Sequence, residues 1–218
     1  MSTPMLEHAL AYAAAYRPVF PCNPRPGDYA KAPLVPKKEG GRGHLDATCN
    51  ADQIRTWWQR WPGALIGSPV PHDLICVDID PRSGATVAKL ETIVSELPYT
   101  QAVISGRGDG GIHLFYWRPL TADGRDYRPI STIRLSRVLP GVDIKLNTGY
   151  TILPPSLHPD TRAPYEWRGD GPSHRPPAGQ ACGATGGATT TPTKDTATAH
   201  KRGTARHHPQ GRQGGHCP

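Results

Sequence analysis

Asp78 and Asp80 stand two residues apart in the run Leu74-Ile75-Cys76-Val77-Asp78-Ile79-Asp80-Pro81. Alternate side chains of an extended strand share a face, so the two carboxylates lie together while Ile75, Val77 and Ile79 point the other way. Carboxylates at this spacing repel one another, and a hard divalent cation is the obvious compensation. Pro81 closes the strand and leaves the pair at its C-terminal end. Taken alone, the pair also suits a solvated strand end, and glycosyltransferases and many phosphatases use similar pairs.

The second cluster is Ser105-Gly106-Arg107-Gly108-Asp109-Gly110-Gly111-Ile112-His113, with four glycines among the six residues 106–111. Glycine permits close backbone approach, and successive N–H groups can cradle an anion. Arg107 adds a planar donor fork suited to phosphate. His113 opens a strand with Phe115 and Trp117 on its own face. A lone histidine there would be an ordinary core residue. Its convergence with glycines and an arginine, soon after an acidic strand, points instead to a phosphate-binding turn. The third cluster is Gly141-Val142-Asp143-Ile144-Lys145, where Asp143 and Lys145 share one face and Val142 and Ile144 the other. A strand carboxylate beside a lysine is usually a surface pair; its position makes Asp143 the candidate third acid.

These residues need elements to hold them. Ser2 or Thr3 before Pro4 starts a helix whose apolar positions are Leu6, Leu10, Ala13 and Ala14, stopping near Tyr16 because Pro18 disfavours helix at Arg17. Val19 and Phe20 read as a short strand. The stretch from Pro21 to Gly43, rich in Pro, Gly and Lys, reads as a long irregular loop, and loops of that length are often functional. Thr48 or Asn50 caps a second helix through Ile54, Trp57 and Trp58, ended by Pro62. Ala64 to Gly67 and Leu74 to Ile79 read as strands. Ser83 caps a third helix with Val87, Leu90, Val94 and Leu97 on one stripe, closed by Pro98. Gln101 to Ser105 and Ile112 to Trp117 are strands around the glycine-rich turn; Val142 to Leu146 and Tyr150 to Leu153 read as another pair. The order fits an α+β domain better than a regular doubly wound one.

Composition sets the outer limits. The chain has 218 residues and a net charge of +7. From Gly171 to Pro218 there is no Val, Ile, Leu, Met, Phe, Trp or Tyr, so that stretch cannot bury enough apolar surface to offset its ordering entropy. This divides the chain into a catalytic domain over residues 1–170 and a disordered basic Gly/Pro/Thr-rich tail over 171–218. The tail carries six basic residues against Asp195 alone, so five of the seven net positive charges lie there. The basic balance is therefore weak evidence about the folded domain, although the tail can add salt-sensitive affinity for phosphates. The five cysteines are scattered without a CxxC pair, which suits free thiols in a reducing compartment. His207, His208, His216 and Cys217 are of metal-ligating type, but nothing positions them. No secretory signal is legible, and Ala9 to Ala15 is too short to span a bilayer, so the expectation is a soluble cytoplasmic protein with no membrane partner.

Read in order, a set of pieces resembles the N-terminal domain of bifunctional DNA primase/polymerases, of the archaeo-eukaryotic primase superfamily. They are Lys31-Ala32-Pro33, Gly43-His44-Leu45-Asp46-Ala47-Thr48, Trp57-Trp58, Ala64-Leu65-Ile66-Gly67 and Val77-Asp78-Ile79-Asp80-Pro81. The Ser105–His113 turn, Val142-Asp143-Ile144-Lys145, Leu153-Pro154-Pro155-Ser156-Leu157-His158 and Tyr165-Glu166-Trp167 follow. The likeness runs from about Leu10 to Trp167. It implies an RRM-like mixed catalytic sheet packed with a smaller α/β unit. It implies that Asp78 and Asp80 bind Mg²⁺ or Mn²⁺ with Asp143 as third acid, and that His113 contacts the phosphates of an incoming nucleotide, beside Ser105, Arg107 and Gly108. Lys145, facing the acids' side, and Lys31 are added as contacts to triphosphate or template. The implied partners are a DNA template and primer with (d)NTPs. One position departs: Gly111 stands where many superfamily members place a serine two residues before the histidine.

Three functions follow as expectations. The first is template-directed nucleotidyl transfer by a two-metal mechanism, in a plasmid, phage or integrated element. The second is a truncated remnant that binds DNA or nucleotide without synthesis. The third, a nucleotide-sugar transferase, leaves the turn and His113 without a role. No GxxxxGK[ST] motif is present, so a helicase would have to be supplied separately. The change after Gly171 reads as the loss of a C-terminal partner domain.

Overall fold

The computed structural model describes residues 4–118 and 139–171. The helix cap expected at Ser2 or Thr3, and the tail from residue 172 with its expected disorder and His/Cys cluster, lie outside the described residues. In chain order the elements are α1 (Pro4–Ala14), β1 (Phe20–Cys22), α2 (Ala51–Arg60), β2 (Leu65–Pro69), β3 (Leu74–Ile79) and α3 (Val87–Val94). Then come β4 (Ala102–Ile104), β5 (Ile112–Trp117), β6 (Val142–Lys145), β7 (Tyr150–Leu153) and β8 (Glu166–Arg168).

The strands form two sheets, one of order β1-β2-β7 and one of order β6-β3-β5-β4-β8. The α+β expectation holds, with one refinement: every described pairing is antiparallel. β3, α3 and β4 form a split βαβ unit with β5 inserted between the two strands. With β6 on the far side of β3, four strands take the RRM-like order and β8 extends the edge.

Several local expectations change. The first strand starts at Phe20; Val19 makes only an isolated bridge to Thr48. The buried stripe of α1 runs through Ala9 and Ala13, whose small side chains let the helix sit close to α2. Asn50, not Thr48, caps α2: its side-chain oxygen accepts from the N–H groups of Asp52 and Gln53. Thr86, not Ser83, caps α3, because Asp80 draws Pro81–Ser83 into a single helical turn that ends at Gly84. Val94 is 45% exposed, so only Leu90 of the expected stripe is buried. β6 and β7 do not pair with each other. β6 joins β3 in the larger sheet and β7 joins β2 in the smaller one.

The faces of β3 explain where a site can form. Val77 and Ile79 pack with Leu90, Leu114, Tyr116 and Val142 under α3. On the other face Leu74 and Cys76 join Phe115, Val103 and the smaller sheet's Phe20, Leu65, Ile66 and Leu153 in one core. Arg17 is wedged in this core, its guanidinium 5.5 Å from the Phe115 ring and 5.3 Å from Trp167. Tyr12 closes it, accepting from Trp167 Nε1 at 2.7 Å and donating to the Pro154 carbonyl at 2.7 Å. One row further along the sheet the residues on this face turn polar, and the two sheets part around a pocket.

Candidate active site

In the sheet register, Asp78 of β3 lies opposite His113 of β5 on one side and Asp143 of β6 on the other. Directly opposed residues project to the same face, so the three form one row. Asp78 and His113 open into a pocket of about 490 Å³. The larger sheet and its turns supply Asp80, Arg82, Ser105, Arg107, Gly111 and Lys145 to it. The facing wall comes from Ala30, Lys31, His44, Tyr150, Thr151 and Ile152, with Tyr165 beside them.

Asp78 and Asp80 are each held by donors of the protein. Asp78 Oδ1 accepts from His113 Nε2 at 3.2 Å, and Asp78 Oδ2 receives Lys145 Nζ at 2.6 Å. Asp80 Oδ2 receives Arg82 Nη2 at 2.7 Å, and Asp80 Oδ1 receives Arg107 Nη2 at 2.9 Å. Arg107 is held from behind as well, because its Nε donates to Asp109 Oδ2 at 2.6 Å. Asp109 also accepts the Gly111 N–H at 3.0 Å, which folds the turn onto the arginine.

These contacts fix the charge states. Burial acts to raise the Asp78 carboxyl, but the His113 hydrogen bond and Lys145 outweigh it and hold it well below the usual carboxylate range. The Arg82 hydrogen bond, with help from Arg107, lowers Asp80. Burial would lower Lys145, yet the Asp78 charge prevails and raises it. His113 is lowered chiefly by burial, with Asp78 opposing only in part. It is therefore a neutral ring with Nε2–H given to Asp78, while Nδ1 is buried without a partner. Lys31 is lowered by burial and by the nearby charges of Arg107, Arg82 and Lys145. Beside the burial, it is the clustered positive charges of Arg107, Arg82 and Lys145 that would favour an arriving anion.

The glycine-rich turn is clamped against the segment after β7. Thr161 Oγ1 donates to the Gly106 carbonyl at 2.7 Å, and a Cβ on Gly106 would meet the Ala163 carbonyl oxygen at 2.2 Å. At Gly111 a Cβ would meet Arg107 Nη2 at 2.8 Å. The arginine thus fills the space that a side chain at position 111 would need.

Of the residues expected from the sequence, Asp78, Asp80, His113, Ser105, Arg107, Lys145 and Lys31 all line this pocket. Asp143 is in register with Asp78 but exposed, and it lies outside the lining. Gly108 sits at the tip of the turn with φ +78 and also lies outside it. Sequence reasoning missed Arg82, Asp109, His44, Tyr150 and Tyr165. Arg82 had a local signal, two residues after Asp80; Tyr150 and Tyr165 come from distant segments and had none. Among the described residues, no three His, Cys, Asp or Glu side chains converge to cage a metal ion.

Fold and site together define an α+β domain with a cationic, acid-centred pocket at the end of an RRM-like sheet. The family model for the N-terminal domain of bifunctional DNA primase/polymerases (Prim-Pol) matches residues 9–180, and the chain belongs to that family. Membership carries a nucleotidyl-transfer role of the primase/polymerase type. No curated protein matches the chain. Among the described residues no helix is long and apolar enough to cross a membrane.

Proposed function

We propose that the pocket carries template-directed nucleotidyl transfer, extending or starting a DNA strand in the replication of a plasmid, phage or integrated element. The observation that carries this reading is the meeting of two carboxylates with Lys31, Arg82, Arg107, His113 and Lys145 in one pocket. A triphosphate needs the cations, and a divalent ion needs the acids. Hard carboxylate oxygens beside space for phosphate oxygens suit Mg²⁺ or Mn²⁺ bound through one or two carboxylates and the substrate. Asp78 and Asp80 fit that role, with Asp143 as a third acid at the edge of the row. When bound, such ions activate a primer 3′-hydroxyl and neutralise the leaving pyrophosphate.

The chain's own residues then position charge. Arg107 and the Ser105–Gly111 backbone hold phosphate oxygens. His113 supplies one N–H donor, now given to Asp78. Lys145 and Arg82 compensate the acids before substrate arrives. A DNA primer–template and (d)NTPs are the substrates, and any helicase would be supplied separately.

The test is incorporation of labelled dATP into a primed single strand with Mn²⁺, beside a nucleotide-sugar control. DNA-sized product from dATP supports the reading; transfer from the nucleotide-sugar replaces it. One feature favours a second reading, a binding module without synthesis: both acids are already engaged by protein donors, Asp80 by Arg82 and Arg107, and Asp78 by Lys145 and the His113 N–H. That reading requires dATP binding without incorporation.

A further inference from the structure

Arg107 joins carboxylates of two segments. Its Nη2 donates to Asp80 Oδ1 at 2.9 Å and its Nε to Asp109 Oδ2 at 2.6 Å. Its side chain is only 13% exposed, so both contacts are made largely out of water. Arg82 differs. It is 64% exposed and holds Asp80 from within one turn, through its own N–H, Nε and Nη2. Asp80 is thus gripped locally by Arg82 and from the glycine-rich turn by Arg107.

That turn is fixed at its base and open at its tip. The Ser105 N–H donates to the Gly111 carbonyl at 2.8 Å, and Thr161 holds Gly106. Beyond this base, Asp109 stands between Gly108 at φ +78 and Gly110 at φ +87, left-handed backbone that glycine adopts without strain. Asp109 Oδ1 accepts the Gly111 N–H, so the tip folds back and Oδ2 meets the Arg107 Nε. Asp109 lies outside the pocket lining, so its carboxylate acts on the site through Arg107.

Arg107 and a divalent cation compete for Asp80. Two further positive charges on that carboxylate repel a guanidinium lying 2.9 Å from it, and the repulsion grows as the dielectric falls in a part-buried pocket. Arg107 can leave Asp80 without losing all compensation, because Asp109 keeps its Nε. We infer that Arg107 is a two-position arm pivoted on Asp109: it rests on Asp80, releases that carboxylate to a divalent cation, and then turns its Nη groups to the phosphates of the nucleotide. Asp109 is the positioning residue. Ion and nucleotide thereby strengthen each other's binding beyond their direct contact, and such coupling is reciprocal. The inference rests on the nucleotidyl-transfer reading of the pocket.

Two titrations of the full chain test the arm: Mn²⁺ alone, followed by electron paramagnetic resonance of the free ion, and dATP at saturating Mn²⁺, followed by calorimetry. Arg107→Gln is expected to bind Mn²⁺ about fivefold or more tighter than the parent, the lower end of ordinary coupling between sites. It should bind dATP about tenfold more weakly, as for a lost charge-assisted contact. Loss of a positive charge would by itself favour Mn²⁺, so Gly111→Ser is the charge-neutral variant. Its Cβ meets Arg107 Nη2 at 2.8 Å, and it should move both affinities in the same two directions. Asp109→Asn keeps an acceptor for the Gly111 N–H. It should weaken dATP several-fold in the parent and change it by no more than about twofold in the Arg107→Gln background, where its partner is gone. Unmoved Mn²⁺ affinity in folded Gly111→Ser overturns the inference even where Arg107→Gln gains, since charge alone then explains the gain. An equal Asp109→Asn effect in both backgrounds also overturns it, and this cycle leaves Gly111 untouched. Absence of Mn²⁺ binding in all of these proteins overturns it too. Neither titration needs synthesis. A parent that incorporates nothing yet shows the opposed changes keeps the arm and loses the polymerase reading; incorporation with Mn²⁺ affinity unmoved in the variants does the reverse.

Discussion

Lys145 and Asp78 are each about a quarter exposed and 2.6 Å apart, which places their pairing between the surface and buried limits. Removing one partner should cost about 2 kcal/mol, between the ~1 of an exposed pair and the 3–5 of a buried one. Lys145→Met is therefore expected to lower the urea midpoint. Asp78→Asn in the same background should recover part of the loss, because no unpaired charge remains. A double-mutant cycle without coupling would show that the pair is only geometric. His113 gives a pH signature. Its pKa is lower folded than unfolded, so its contribution to stability is present above about 6.5, the unfolded value, and lost as pH falls through the folded one. The melting temperature should fall between pH 7.5 and pH 5, and fall less in His113→Gln, which keeps an N–H for Asp78. Equal slopes would mean that His113 is not buried neutral. At this scale the sequence was most legible. Period-two alternation put Asp143 and Lys145 on one face of their strand and set Asp78 and His113 opposite their apolar neighbours; the register of β3 with β5 and β6 then brought them together. Asp109 was not legible, because its task is to hold Arg107, and that depends on how the turn folds back.

The turn from Ser105 to His113 illustrates what an element adds. Gly106 abuts the Ala163 and Pro164 backbone, which cannot yield as a side-chain end can. Gly106→Ala should destabilise the domain by about 1–3 kcal/mol, read by thermal unfolding. Gly111→Ser meets side-chain atoms alone, the end of Arg107 at 2.8 Å with Asp109 and Ser105 at 3.2 and 3.3 Å, so it should cost less stability than Gly106→Ala. It should weaken dATP binding several-fold by displacing that guanidinium, read by titration calorimetry; unchanged affinity would remove Arg107 from the phosphate site. Elements were legible where the signal was local. β3 and β5 match their expected bounds because their apolar runs are long and bounded by Pro or Gly. The α3 cap moved from Ser83 to Thr86 because Asp80, itself a site residue, accepts the Arg82 N–H and makes a turn of Pro81–Ser83. β6 and β7 alternate like a hairpin, yet each finds its partner in a different sheet. Strand pairing is a long-range choice that alternation alone does not encode. β8 spans only Glu166–Arg168, too short to leave a pattern.

At the scale of the whole molecule, the two sheets share one core at Phe20, Cys76, Phe115 and Leu153 and separate at the row of Asp78 and His113. The site is therefore where apolar packing stops, and its second wall comes from Lys31, His44 and Tyr150. That wall was foreseen only as an irregular loop and as a single lysine. The sequence could not place it, because the smaller sheet joins strands from residues 20, 65 and 150, far apart along the chain. The acids of this pocket are expected to support strand synthesis. The most direct measurement is extension of a primed single-stranded template with Mg²⁺ or Mn²⁺ by the parent and by the Asp78→Ala, Asp80→Ala double variant, each shown folded by circular dichroism. Extension by the parent is expected, with a loss of at least about a hundredfold in the variant, as for removal of a principal electrostatic catalyst. Equal extension by both, or none by a folded parent, would contradict it.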